Sequence, residues 1–322
     1  MPASITTVDL QPWREGDERD RRQVAEQLDA ALQHSGFVLV SGHGLSPELV
    51  RATRQAARTF FELPAAEKQP YAVTVDGRGW LPLGVEANAF SEGTSSPPDL
   101  KESLTFGADE RTGEASVDDR WFQPNVWPAQ VPEVEQTVRQ YIAASRACAD
   151  LLMRVCAQAL GLDAGWFAPS LQHPTYTLNI NRYPPARLVG PVGQDQFRIG
   201  PHTDFGTLTL LDREPGVGGL QVFTADEEWV DAPFEPGALT VNVGDLLSRW
   251  TGDRWRSSRH RVLPPQPSAL DEDLISLVFF YECDTDALVE SMPPPIGHTH
   301  YTPVYAADYL DEKYRAIAVE PD

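Results

Sequence analysis

Residues His202, Thr203 and Asp204 set a histidine and a carboxylate two positions apart, and His260 follows fifty-six residues after Asp204. Two imidazoles and one carboxylate form a facial donor set for Fe(II) that leaves the opposite coordination positions open to oxygen and substrate. On a β-strand, residues i and i+2 project to the same side. His202 and Asp204 can therefore point together into a cavity, with Thr203 and Phe205 turned the other way. The third ligand must come from a strand facing the first, which a sheet folded upon itself supplies.

The elements that must position these residues follow from periodicity and turn chemistry. Residues 5–10 read as a short strand, 18–34 as an amphipathic helix, and 36–40 as a compact apolar strand closed by Ser41-Gly42-His43-Gly44. A second helix is expected over 46–61, with Ser46 as its N-cap and Glu48 in its first turn. Residues from about 70 to 130 are rich in Gly, Pro, Ser and acids, and read as long loops with short strands, the kind of segment that lines an entrance. A long helix is expected over 132–160, where Ile142, Cys148, Leu151, Leu152, Val155 and Leu160 recur at helical spacing.

After Trp166 the pattern becomes β-rich: 176–183, 198–211, 219–223, 229–230, 239–243, 260–263 and 275–281, punctuated by turns such as Glu214-Pro215-Gly216. A closing helix is expected over 306–316. The class that results is α+β in a single catalytic domain of 1–322. A mainly helical N-terminal part occupies about 1–165, a β-core about 170–285, and a tail with a helix 286–322.

Composition narrows the function. The net charge is −21 with acids spread along all 322 residues, which argues for solubility and against nucleic-acid or anionic-membrane partners. No apolar run approaches a membrane span, and the start lacks the pattern of a signal peptide. Cys148, Cys156 and Cys283 read as buried thiols, which fits a reducing cytoplasm. A large polyanionic substrate does not suit so acidic a surface.

Further segments join the His-x-Asp…His set in a fixed order. They are 36–40 through His43-Gly44, Asp99-Leu100-Lys101-Glu102, Asn181-Arg182-Tyr183-Pro184-Pro185, Gly219-Leu220-Gln221-Val222, Asn242-Val243-Gly244-Asp245 and 257–262. Together these segments resemble the non-haem Fe(II) and 2-oxoglutarate-dependent oxygenases, in the branch that contains isopenicillin N synthase, ACC oxidase and the plant flavonoid and gibberellin oxygenases. The resemblance spans most of the chain. It implies a double-stranded β-helix (jelly-roll) core flanked by N-terminal helices, with Fe(II) bound by His202, Asp204 and His260. It implies that Tyr183 helps hold the distal carboxylate of 2-oxoglutarate and that Asn181 lies near the keto-acid end. The implied chemistry uses O2 and 2-oxoglutarate, releases succinate and CO2, and hydroxylates, desaturates or cyclises at an unactivated C–H bond. A small natural-product, amino-acid or hormone-like substrate of secondary metabolism is the family expectation, and so is a monomer.

One departure stands out. The family's Arg-x-Ser pair reads Leu274-Ile275-Ser276 here, so Ser276 is present and the arginine is not. That arginine would give a charge-assisted hydrogen bond worth roughly 1.5–3 kcal/mol to a carboxylate. Arg198, four residues before His202, is the nearest replacement in sequence, and a structural ion pair is its other reading. Leu274 also motivates an alternative, a 2-oxoglutarate-independent Fe(II) oxidase resembling isopenicillin N synthase. A catalytically silent binding module is a third reading, which an intact triad opposes.

Other residues read more plainly. His43 satisfies a turn, and Asn242 and Asp245 flank a glycine as turn formers. His298 and His300 form a His-x-His pair in a tail-like loop. Arg254-Trp255-Arg256 reads as substrate contact or solvated surface. Arg78, Trp80, Phe90 and Phe106, in the loop region 77–107, are placed at the substrate mouth.

Overall fold

A computed structural model describes residues 5–75, 77–89, 97–217 and 219–317. Its strands, in chain order, are β1 (Thr7–Asp9), β2 (Phe37–Ser41), β3 (Gly79–Leu81), β4 (Glu102–Gly107), β5 (Tyr176–Tyr183), β6 (Ile199–His202) and β7 (Leu208–Arg213). There follow β8 (Leu220–Phe223), β9 (Trp229–Asp231), β10 (Leu239–Val243), β11 (His260–Val262), β12 (Leu274–Tyr281), β13 (Leu288–Val289) and β14 (Val304–Tyr305). The helices are α1 (Gln11–Glu15), α2 (Glu18–Ser35), α3 (Pro47–Phe61), α4 (Ala65–Lys68), α5 (Ala115–Trp121), α6 (Glu133–Ala159), α7 (Ala186–Val189), α8 (Asp245–Trp250) and α9 (Ala306–Ile317).

Eight strands form one sheet in the order β1-β2-β10-β7-β12-β5-β4-β3, and four form a second in the order β6-β11-β8-β9. The large sheet has two unlike faces, as strand alternation requires. Leu178, Ile180, Leu208, Leu210, Val241, Ile275, Leu277 and Phe279 point to one side and join the main apolar core with α2, α3 and α6. Each such side chain, fully buried, contributes roughly 1.5–3 kcal/mol. The alternate residues, Asn179, Asn181, Tyr183, Thr209, Thr240, Asn242 and Ser276, point to the other side, toward the small sheet. That face is polar where most core-facing surfaces are apolar. A smaller apolar cluster of Phe37, Leu39, Leu220 and Val222 closes one end of the space between the sheets.

The helices are set by local signals. Asp17 caps α2 through a reciprocal box with Asp20, and Gly36, at φ 70°, ends α2 in the left-handed region and turns the chain into β2. The Ser46 hydroxyl accepts the backbone N–H groups of Glu48 and Leu49 at the start of α3, with Pro47 at its first position.

Two expectations are corrected. Residues 198–211 are not one strand: β6 stops at His202, and the chain turns through 203–207 before β7 begins. Gly206 packs there so closely on Gly244 and on the Glu282 carboxylate that a Cβ at 206 would strike the latter. The region 70–130 holds short strands, β3 and β4, as expected, and adds the helix α5, which was not expected. β4 is buried along its whole length and pairs with β5 from Glu102↔Arg182 to Gly107↔Thr177. The first part of the chain thus places β1 to β4 in the large sheet beside strands from the second.

Candidate metal centre and its two cavities

His202 ends β6, His260 begins β11, and the two are register partners in the antiparallel pair. Asp204 follows on the turn, beyond the strand rather than on it, so i and i+2 alternation was the wrong route to the right convergence. One ligand atom from each of the three lies within 4.8 Å of the others. His202 Nε2 and His260 Nε2 are each 3.7 Å from Asp204 Oδ1.

Each side chain is oriented by a neighbour. His202 Nδ1 meets the Gly200 carbonyl at 2.8 Å and His260 Nδ1 meets the Ser258 carbonyl at 3.2 Å. With Nδ1–H donating to those carbonyls, both Nε2 lone pairs face Asp204. Asp204 Oδ2 accepts from the Thr209 hydroxyl at 2.6 Å and from Asn242 Nδ2 at 2.6 Å, which leaves Oδ1 toward the imidazoles. Burial, then the neighbouring His202, holds the His260 imidazole down at about 4, so it is neutral at pH 7. Burial pulls Asp204 toward protonation, but His260, His202 and the two hydrogen bonds outweigh it and leave its carboxyl below the usual range. Two imidazoles whose Nε2 atoms face an ionised carboxylate, each side chain fixed by an outer partner, are what a divalent first-row metal needs. The donor set fits Fe(II).

Two cavities flank this centre along the polar face of the large sheet. The first is lined by His202, Asp204, Asn179, Thr105, Phe280 and Glu282, among others, and reaches Trp121 and Tyr314 at its mouth. Arg78 and Phe106, two of the residues expected at the substrate mouth, line this cavity, whereas Trp80 does not and donates from Nε1 to Glu102 at 2.8 Å. Phe90 lies outside the described residues. Thr203 and Phe205, expected to turn away, also line this cavity. Burial, with the charge of Asp204 second, pushes the Glu282 carboxyl up to about 8.

The second cavity is lined by Tyr183, Arg198, Arg213, Leu274 and Ser276. Leu274 does occupy the position expected of the arginine: it pairs with Tyr183 across β5 and β12, two residues before Ser276. Two guanidinium groups, those of Arg213 and Arg198, line the same cavity. Arg213 on β7 is the register partner of Ser276. Its Nη2 donates to the Ala232 carbonyl at 2.9 Å and to that of Pro233, and burial lowers its pKa. Arg198 is 1% exposed, with its Nε unpartnered, Nη2 3.3 Å from Glu272 and Cζ 5.8 Å from the Tyr183 ring centroid. The structural ion pair expected of Arg198 is present, and the same residue lines the cavity wall. Asn181 accepts from the Ser103 hydroxyl at 2.7 Å, and Tyr183 and Ser276 share a hydrogen bond.

Residues 5–130 match the model of the non-haem dioxygenase in morphine synthesis N-terminal family, and residues 174–282 match the 2OG-Fe(II) oxygenase superfamily. The chain is 42% identical over 298 residues to validamycin A dioxygenase of Streptomyces hygroscopicus subsp. limoneus, covering 92% of this chain and 82% of that protein. The chain belongs to the 2OG-Fe(II) oxygenase superfamily. A homoarginine-6-hydroxylase of Arabidopsis thaliana is 29% identical over 277 residues, covering 84% of this chain and 80% of the relative. The full-length Neurospora crassa T7H, crystallised with alpha-KG and thymine, superposes with a TM-score of 0.84 at 26% identity, covering 98% of each chain. As a 2OG-Fe(II) oxygenase, this enzyme is a non-haem iron dioxygenase that uses Fe(II), 2-oxoglutarate and O2 on a small-molecule substrate, and its core is the expected jelly roll. The 2-oxoglutarate-dependent reading, not the oxidase alternative, is the one its relatives support.

The remaining residues divide cleanly. His43 satisfies a turn as expected, with Nε2 2.9 Å from the Gly237 carbonyl and Nδ1 accepting from the Leu45 N–H. Asn242 is more than a turn former, because its amide holds Asp204. Asp245 instead accepts from Tyr309 at 2.9 Å and pairs with Lys313 at 3.1 Å. Arg254 and Trp255 both donate to Asp29 on α2, and Trp255 is fully buried, so this pair is structural. His298 and His300 are exposed, and among the described residues only His202, Asp204 and His260 form a metal-binding group. Cys148, Cys156 and Cys283 are free and buried. No helix among the described residues is long and apolar enough to cross a membrane.

Proposed function

We propose that His202, Asp204 and His260 hold the iron, that the cavity of Tyr183, Arg198, Arg213 and Ser276 holds 2-oxoglutarate, and that the cavity reaching Trp121 and Tyr314 holds the substrate. The observation that carries this reading is the placement of the two cavities on one polar sheet face with the three ligands between them. When bound, iron with 2-oxoglutarate and O2 supplies an oxidant for an unactivated C–H bond, with succinate and CO2 released.

The chain's own residues do the rest. Thr209 and Asn242 fix which Asp204 oxygen faces the metal position. Tyr183 and Ser276 offer hydroxyl donors, and Arg213 and Arg198 positive charge, to the distal carboxylate of the co-substrate. Asn181 stands between that cavity and the triad, near the keto-acid end. Phe106 and Phe280 line the substrate cavity and keep it dry. Leu274 then needs no compensation of its own, because the cation it replaces enters one strand away.

Hydroxylation, desaturation or cyclisation of a small molecule is the reaction class, and the substrate of validamycin A dioxygenase is the first to try, given 42% identity. The chain acts as one catalytic domain and as a monomer, in a reducing cytoplasm that suits its three free thiols.

The test is anaerobic reconstitution with Fe(II) and 2-oxoglutarate. An iron–keto-acid charge-transfer band and succinate formation on adding O2 are expected. A His202→Ala protein that binds iron as tightly as the parent would overturn the ligand assignment.

A further inference from the structure

Buried polar groups in folded proteins are almost always paired, so those left without partners mark where a ligand goes. Among the described residues, four such atoms gather in the substrate cavity: Thr105 Oγ1, Thr175 Oγ1, Asn179 Oδ1 and Glu282 Oε2. They are one surface. Thr105 and Asn179 are register partners across β4 and β5. Thr175 and Glu282 continue the β5–β12 ladder by one step, since the Glu282 N–H donates to the Thr175 carbonyl at 3.0 Å. Alternation puts all four on the inward rows, past Asn181 and Ser276 in the direction away from the second cavity.

The chemistry of the four is lopsided: one carboxylate oxygen, one amide oxygen and two hydroxyls. Glu282 is 4% exposed and its carboxylate lies against Gly206, two residues beyond Asp204. The nearby cations are already engaged. Arg78 donates to the carbonyls of Ala108, Gln123 and Trp121, Arg120 to Asp311, and Lys101 to Glu86 and Ser103. A buried carboxyl oxygen without a partner is costly, and a ligand ammonium beside it relieves that cost and favours the ionised over the protonated form. The neighbouring amide and hydroxyl oxygens suit ligand hydroxyls.

We infer that Glu282 is the specificity-determining residue of the substrate cavity and selects a polyhydroxylated small molecule carrying a protonated amine, with Thr105, Thr175 and Asn179 taking its hydroxyls. The inference rests on the reading of this cavity as the oxygenase's substrate chamber. An anionic substrate is disfavoured by the same surface, because it would meet the Glu282 carboxyl while the donors of Arg78 are spent on three backbone carbonyls.

The test is direct binding. Protein loaded anaerobically with Fe(II) and 2-oxoglutarate is titrated by calorimetry with glucose, glucosamine and glucuronate, and with myo-inositol and its aminodeoxy analogue. The amines should bind about tenfold or more tighter than their neutral partners, and glucuronate weakest. Glu282→Gln should bring each amine close to its neutral partner, and Thr105→Val with Thr175→Val should weaken both alike. Neutral partners that bind as well as the amines, an absence of amine binding, or an amine preference that survives Glu282→Gln would each overturn the proposal. The charge-transfer band of every protein, recorded before titration, reports iron and co-substrate loading, so failure of the oxygenase reading is seen separately.

Discussion

Arg213 on β7 lies directly across from Ser276 on β12, so a guanidinium lines the cavity of Leu274 and Ser276 from the adjacent strand. Antiparallel register partners project to the same face of a sheet, which makes the substitution of one arginine position for another geometrically simple. It predicts that Arg213→Leu weakens 2-oxoglutarate binding by roughly tenfold to a hundredfold, the loss of one charge-assisted hydrogen bond. Arg198→Leu should weaken it less, since Glu272 already offsets that charge. Leu274→Arg should bring no gain, because a third guanidinium would be repelled by the two present. The measurement is anaerobic titration of the charge-transfer band. Unchanged affinity in Arg213→Leu would mean that Arg198 alone binds the carboxylate.

Asp204 is held by Asn242 and Thr209 from strands that carry no ligand themselves. Removing such an outer partner typically costs 10–100-fold in metal affinity, which is the expected effect of Asn242→Ala on Fe(II) binding. Thr209→Val should act in the same direction. Equilibrium dialysis against Fe(II) under anaerobic conditions reads the effect. The overall fold should persist, since the apolar face of β10 is untouched.

The path from residues to structure was uneven, for identifiable reasons. Helices α2, α3 and α6 were legible because each has a one-sided apolar stripe and two have side-chain caps. β5, β10 and β12 were legible because turn residues bound them. β4 was not, since its residues are buried on both faces and sit in a stretch dominated by Gly, Pro and acids. The triad was readable from residue types, although its geometry depends on a turn at 203–207 and not on strand alternation. Asn242 was taken for a turn former because sequence shows its glycine neighbour, whereas its contact with Asp204 spans 38 positions. Arg213 escaped because the strand was expected to end at 211. One more step of the Thr209, Leu211 alternation would have placed it in the cavity. Glu282 followed directly after an expected strand and gave no local signal at all.

Glu282 also makes a prediction about acid and base stability of the metal-free protein. Its folded-state pKa of about 8 stands above the ordinary glutamate value of 4.5. The folded protein therefore holds a proton that the unfolded chain releases between those values. The sign follows: its contribution is fully favourable below about pH 4.5 and is lost as pH rises through 8. Glu282→Gln cannot lose that proton. The variant should match the parent near pH 5 and exceed it in melting temperature near pH 8, by an amount equivalent to up to a few kcal/mol. Melting curves of the two metal-free proteins that stay parallel across this range would show that the carboxyl is already ionised in the fold.

The outer face of the large sheet carries a buried ion network whose centre is Glu102. Its Oε2 accepts from Lys68 Nζ at 2.8 Å and from Trp80 Nε1 at 2.8 Å, and its Oε1 from Arg182 at 2.9 Å. Arg182 continues to Asp273 at 2.6 Å, and Arg58 joins Asp273 to Glu214. These pairs tie α3 and α4 to β4, β5 and the segment before β12, on the side of the sheet opposite the two cavities. Removing one member of a buried set strands its partners' charges, at a cost of about 3–5 kcal/mol. Glu102→Ala leaves both Lys68 and Arg182 without that carboxylate, while Arg22→Ala, which unpairs the exposed Glu18 on α2, should cost about 1 kcal/mol or less. Urea unfolding at pH 7 distinguishes them: the midpoint should fall sharply for Glu102→Ala with the slope unchanged. A midpoint within error of the parent would mean that the apolar face of the sheet alone holds α3 and α4 in place.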